Sequence, residues 1–141
     1  MKRTTVCITI LAVAAIALAS YACAFAADAS ESRLAVVWTS GDPDVAHKVC
    51  FMYTHNAKKA GWFDDVTLIV WGPSSRLLAA DKQLQSAVKA MMTDGVTVQA
   101  CVVCADMYGV ADDLRDLGIE VKGMGRPLSD MLKSGRKVLT F

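Results

Sequence analysis

The chain has 141 residues, 54% of them hydrophobic, with 15 basic and 14 acidic side chains giving a formal charge of +1. That length fits one ordinary domain with a real hydrophobic core. A near-neutral chain without a basic patch interleaved with aromatics excludes a nucleic-acid-binding surface.

The N-terminus opens with Met1-Lys2-Arg3, a short positive segment. An uncharged apolar run follows from Val6 to Ala19, and Ala24-Phe25-Ala26 then puts small residues at the two positions that signal peptidase reads. The pattern predicts a secretory signal peptide over 1–26, cut after Ala26, and therefore a periplasmic protein. The apolar run is shorter than the roughly 18–20 residues a spanning helix needs, so no membrane span is expected after cleavage. A lipid anchor on Cys23 is disfavoured, because Ser20 stands where a bulky aliphatic residue is required. Cleavage removes Lys2 and Arg3, which takes the formal charge from +1 to −1, and it removes Cys7 and Cys23. Cys50, Cys101 and Cys104 remain, too few and too odd a set for a disulfide framework. In an oxidising compartment one pair can close and one thiol is left over.

Residues 27–33 are small and polar and read as a flexible leader before a domain over 34–141. Leu34–Thr39 is apolar without alternation, as in a strand buried on both faces of a parallel sheet. Asp42-Pro43 starts a helix, with Asp as N-cap and Pro in the first helical position. Ala46, Cys50, Tyr53, Ala57 and Ala60 then mark one helical face, with Val49 and Met52 beside it, until Gly61. Val66–Trp71 is the second strand, closed by Gly72-Pro73. Residues 74–80 read as a short helical turn, and Leu84 to Met92 as a longer helix ending before Gly95. Val96–Cys101 is the third strand. One helix is expected from there through Leu114 and Leu117, then a short strand over 119–122, a brief helix over 128–132 and a last strand at Val138–Phe141. Strands alternating with helices predict an α/β fold: a three-layer α/β/α domain around a mostly parallel sheet of about five strands.

Open parallel sheets hold their sites beyond the carboxyl ends of their strands. Those ends are Ser40-Gly41, Trp71-Gly72, Cys101 with the segment to Cys104, and Gly123-Met124-Gly125. Cys101 closes a strand and Cys104 falls where a helix begins, where partial positive charge and free N–H groups favour a thiolate. The Cys-Val-Val-Cys spacing also permits a small disulfide. Cys101 and Cys104 are therefore the candidate catalytic pair, and Ser40, Gly41, Trp71, Gly72 and Gly125 the candidate binding rim.

The remaining candidates have plainer readings. His47 and His55 lie eight residues apart, about 80° off a common helix face, and are read as surface residues rather than ligands. Cys50, on the apolar helix face, is read as core packing. Asp106, Asp112, Asp113 and Asp116 are read as a solvated face. Gly123-Met124-Gly125 does not continue into a nucleotide loop, because Leu128 occupies the place of the third glycine. No metal site and no cofactor is predicted.

Taken together, Leu34–Asp42, Phe51–Thr54, Thr67–Ser74, Cys101–Val110, Leu117–Val121 and Lys137–Phe141 resemble the DsrE/DsrF-like family over nearly the whole mature domain. The resemblance implies a three-layer α/β/α fold assembled as homo- or hetero-oligomers. Its best understood members are cytoplasmic sulfur carriers that hold a persulfide on a strand-end cysteine, and Cys101 is the matching position. This chain departs from them in its export signal and in Cys104, which is placed to resolve a persulfide on Cys101 or to close a disulfide with it.

The leading expectation is a periplasmic thiol protein of sulfur metabolism, a homo-oligomer meeting a sulfur donor or acceptor protein. The alternatives are a soft-metal (copper or zinc) binder, using both thiolates with residues of a neighbouring subunit, and a non-catalytic oligomeric module associating through Trp62 and Phe63. A thioredoxin-like oxidoreductase fits less well, because the cysteine pair follows the third strand and lacks an aromatic before it.

Overall fold

Five short strands, the central ones mainly apolar and the two edges mixed, set the frame: β1 (Arg33–Trp38), β2 (Asp65–Val70), β3 (Thr97–Cys101), β4 (Glu120–Lys122) and β5 (Lys137–Thr140). The computed structural model describes residues 32–141. The predicted signal peptide, with Cys7 and Cys23, and the leader up to residue 31 lie outside the described residues. The strands pair in the order β4-β3-β2-β1-β5, every pair parallel.

Helix α1 runs through three consecutive pieces, Pro43–Val45, a π-helical turn Ala46–Cys50, and Phe51–Lys59. The others are α2 (Pro73–Ala80), α3 (Lys82–Thr93), α4 (Val102–Met107), α5 (Ala111–Asp116) and α6 (Gly125–Lys133). Asp42 caps α1, its carboxylate accepting the N–H of Asp44 (2.8 Å), and Asp81 caps α3 by accepting that of Gln83 (2.8 Å).

The strand order decides which face each helix covers. Steps β1→β2→β3→β4 all move the same way, so right-handed crossovers lay α1 to α5 on one face. Only β4→β5 reverses, and it carries α6 alone across the other. The two apolar clusters follow this division. Leu34, Val36 and Trp38 of β1 pack with Leu68, Val70 and Val98 against Cys50, Phe51, Leu78, Leu84, Met91 and Leu114. Trp38, fully buried, meets the Phe51 ring edge-on at 4.8 Å. On the thin side Ala35, Val37, Ile69 and Cys101 pack with Met124, Leu128 and Met131. Arg136 fastens the end of that layer, pairing with Asp65 and donating to Thr67 (3.2 Å).

Four expectations are corrected. The domain starts before residue 34: Arg33 is already in register with Asp65, and Ser32 donates its N–H (2.8 Å) and hydroxyl (3.0 Å) to Asp64. The π turn changes the phase of α1, so the buried face is Ala46, Cys50, Phe51, Thr54 and Ala57, with Tyr53 half-buried and Ala60 exposed. Residues 73–80 form more than two full turns of helix, started by Pro73. The single helix expected after Cys101 is two, because Gly109 takes a left-handed φ of 68° and turns the chain between α4 and α5. Among the described residues, no helix is long and apolar enough to cross a membrane.

Candidate functional site: a thiol pair at the sheet rim

Cys101 is both the last residue of β3 and the N-cap of α4, with an extended backbone (φ −74°, ψ 114°) that turns the strand directly into the helix. Its side chain is 5% exposed and Cys104, one turn on, is half-buried; both are free thiols. Burial by itself would raise the Cys101 pKa. Hydrogen bonds from the backbone N–H groups of Cys104, Met124 and Val103, and from the Cys104 thiol, outweigh it and hold Cys101 below the ordinary thiol range. Two of these N–H groups belong to the start of α4, whose first donors have no partner within the helix. The third comes from Met124, in the loop between β4 and α6.

Cys104 moves the opposite way. Burial raises its pKa first, the N–H of Gly72 lowers it, and the hydrogen bond and negative charge of Cys101 raise it further. The pair is therefore polarised: Cys101 is the more readily ionised sulfur, and Cys104 holds its proton and hydrogen-bonds to it. Of the two, Cys101 has the environment of the better nucleophile.

Gly72 sits between β2 and α2 at φ 73°, ψ −136°, a conformation open to glycine alone, although there is space for a methyl group. Next to it, the N–H of Trp71 is held by the Trp38 carbonyl (2.9 Å) and the Ser74 hydroxyl (3.0 Å), and its ring packs against the cluster containing the thiols.

The rest of the predicted rim lies at a greater remove. Ser40 donates its N–H to the Phe141 carbonyl (3.2 Å) and accepts the N–H of Asp42 (3.1 Å). Gly41 abuts the loop carrying Gly72, and a Cβ there would stand 3.2 Å from that of Pro73. Gly125 opens α6 and its carbonyl accepts the Ser129 hydroxyl (2.9 Å); the residue in contact with the sulfur is Met124 before it. Val103 and Met124 were missed because they act through backbone N–H groups. The available signal was an apolar residue bracketed by glycines at a strand end.

The other candidates stay apart from the pair. His55 bonds Asp94 at 2.6 Å, and Cys50 is fully buried with its thiol pushed up to about 12 by burial, against a hydrogen bond from Thr54. Asp106, Asp112, Asp113 and Asp116 are exposed. Around the mouth of the site, Val103 and Met107 project into solvent, 60% and 79% exposed, and the Arg76 guanidinium lies 5.3 Å from the Tyr108 ring centre.

Comparison with known proteins places this arrangement. The DsrE/DsrF-like family profile matches residues 32–141. The chain belongs to the DsrE/DsrF-like family. Among solved structures, a conserved protein of unknown function, BT1422 from Bacteroides thetaiotaomicron, is similar with 37% identity and a TM-score of 0.75, over 78% of this chain and 95% of that one. The ychN protein from E. coli shares the DsrE-like fold at 18% identity and a TM-score of 0.61, over 78% of this chain and 99% of its own. No curated protein matches the chain.

Proposed function

We propose that this DsrE-family protein is a periplasmic sulfur carrier that takes up sulfane sulfur on Cys101 and that Cys104 governs its release. The observation carrying this reading is the thiolate environment of Cys101: three backbone N–H donors and the Cys104 thiol converge on one sulfur. Membership of a family linked to sulfur relay supports it, as does the export pattern in the sequence.

The uptake step is a displacement. The Cys101 thiolate attacks the outer sulfur of a donor persulfide, a new S–S bond forms, and the donor's own S–S bond breaks with its electron pair leaving on the donor thiolate. No net oxidation occurs. The persulfide moves negative charge outward from the Cys101 sulfur, which removes the charge repulsion that keeps Cys104 protonated. Two exits follow. An acceptor thiolate attacks the outer sulfur and Cys101 leaves as thiolate. Alternatively Cys104, losing its proton, attacks the inner sulfur and expels hydrosulfide. The second exit leaves a Cys101–Cys104 disulfide, and an external dithiol reductant must restore the pair.

The test is intact mass after exposure to a small-molecule persulfide donor. A gain of about 32 Da on Cys101, removed by reductant and absent from Cys101→Ser, is expected, with a loss of about 2 Da if Cys104 resolves it. Cys104→Ser should keep the adduct for longer. A wild-type protein whose thiols take up no sulfur and form no disulfide would end this reading.

A further inference from the structure

The thiol pair does not stand among ordinary apolar neighbours. Of the six methionines in the described residues, two pack in its cluster and a third lies one helical turn along α4. Met124 is fully buried in the same cluster as Cys101, and Met131 is half-buried against that cluster together with Cys104. Met107 lies one helical turn beyond Cys104 on α4 and is 79% exposed. Two thiols and two thioethers thus share one cluster, from two separate segments of the chain, with a third thioether exposed on α4. Hard donors do not accompany them: among the described residues, no three His, Cys, Asp or Glu side chains come together.

We propose that Cys101, Cys104 and the methionines beside them form a binding site for copper(I). Softness decides the metal. Thiolate and thioether sulfur select Cu(I), whereas a closed zinc site requires four N, S or carboxylate ligands, which these residues do not supply. The N–H groups of Val103, Met124 and Gly72 that point at the two sulfurs would also stabilise a thiolate–copper–thiolate unit, which carries one net negative charge. Binding forms two Cu–S bonds and releases to solvent the thiol protons that the two cysteines hold, with no electron transferred.

The methionines divide the task by exposure. Met124, whose backbone is tied to Cys101, and Met131 supply thioether sulfur to the buried side. Met107 offers an exposed first contact at the mouth. The ligands all come from one chain, and the site stands whether or not the protein carries persulfide sulfur.

The experiment is an anaerobic titration of the reduced full chain with Cu(I) supplied as its bicinchoninate complex, alongside a zinc(II) titration. One copper per chain, withdrawn from the chelator with a near-ultraviolet sulfur-to-copper absorption, is expected. Cys101→Ser and Cys104→Ser should each abolish it. Met124→Leu/Met131→Leu, which conserves side-chain volume, should raise the copper Kd at least tenfold while leaving the circular dichroism spectrum unchanged. Failure to take copper from the chelator, unchanged affinity in the folded double Met→Leu protein, or tighter retention of zinc than of copper would each overturn the proposal. Persulfide uptake by the same preparation reads out separately, so the two readings stand or fall independently.

Discussion

Three cysteines in one small domain occupy three chemical states, and the cause in each case is what lies within hydrogen-bonding reach. Cys50 has burial against it and only the Thr54 hydroxyl in its favour, so its thiol rises to about 12. Cys101 is also buried but gathers three N–H donors, and Cys104 keeps its proton and donates it as a hydrogen bond to its neighbour. Alkylation with iodoacetamide across a pH series, followed by peptide mapping, should therefore modify Cys101 at lower pH than Cys104 and leave Cys50 untouched while the fold holds. Replacing Cys101 by Ser should shift the Cys104 profile to lower pH, because the charge and hydrogen bond that hold its proton are gone. Chain position and residue type made the two rim cysteines visible in the sequence. Met124 was not visible as a partner, because a backbone N–H is common to nearly every residue and only the fold says where it points.

The elements were legible wherever burial was uniform. β1, β2 and β3 are buried almost throughout, and their sequences are mainly apolar, broken inside only by Thr67 and Gln99. The reading failed where one residue changed the phase. The π turn at Ala46–Cys50 brings Phe51 inward, and the left-handed Gly109 divides what looked like one helix. Two predictions belong to junctions of this kind. Gly72→Ala should cost about 1–3 kcal/mol in a urea titration, because a side chain strains that backbone conformation even with space around it. At the other end of β2, Asp64 is held below the usual carboxylate range by the N–H and then the hydroxyl of Ser32. A depressed carboxylate stabilises the fold above its unfolded pKa of about 3.9 and loses that effect as pH falls through the folded value. Asp64→Asn should then unfold at lower urea than wild type at pH 7, and the gap should close below about pH 4.

Across the whole molecule, the sequence implied layers and parallel strands but not their order, since nothing in a strand's composition names its neighbour. The reversal after β4 was the hidden step, and it makes the two faces unequal. The thick face rests on Trp38, and Trp38→Ala should remove about 3–5 kcal/mol of stability, read by chemical denaturation. The thin face depends on α6 and on β5, whose partner is the first strand of the domain: Leu34 lies beside Lys137 and Val37 beside Thr140. The contact that closes the sheet therefore joins its two sequence extremes, and loops of that span are slow to close. The loop bearing Met124 joins β4 to α6, the helix that crosses to β5, so the N–H it gives Cys101 needs both segments in place. Until then the chain carries two unremarkable thiols, and the activated one comes into being together with the finished fold. Reactivity is in this sense a certificate of completion, withheld from any nascent or partly unfolded form in which a loose nucleophilic sulfur would pair with the wrong partner.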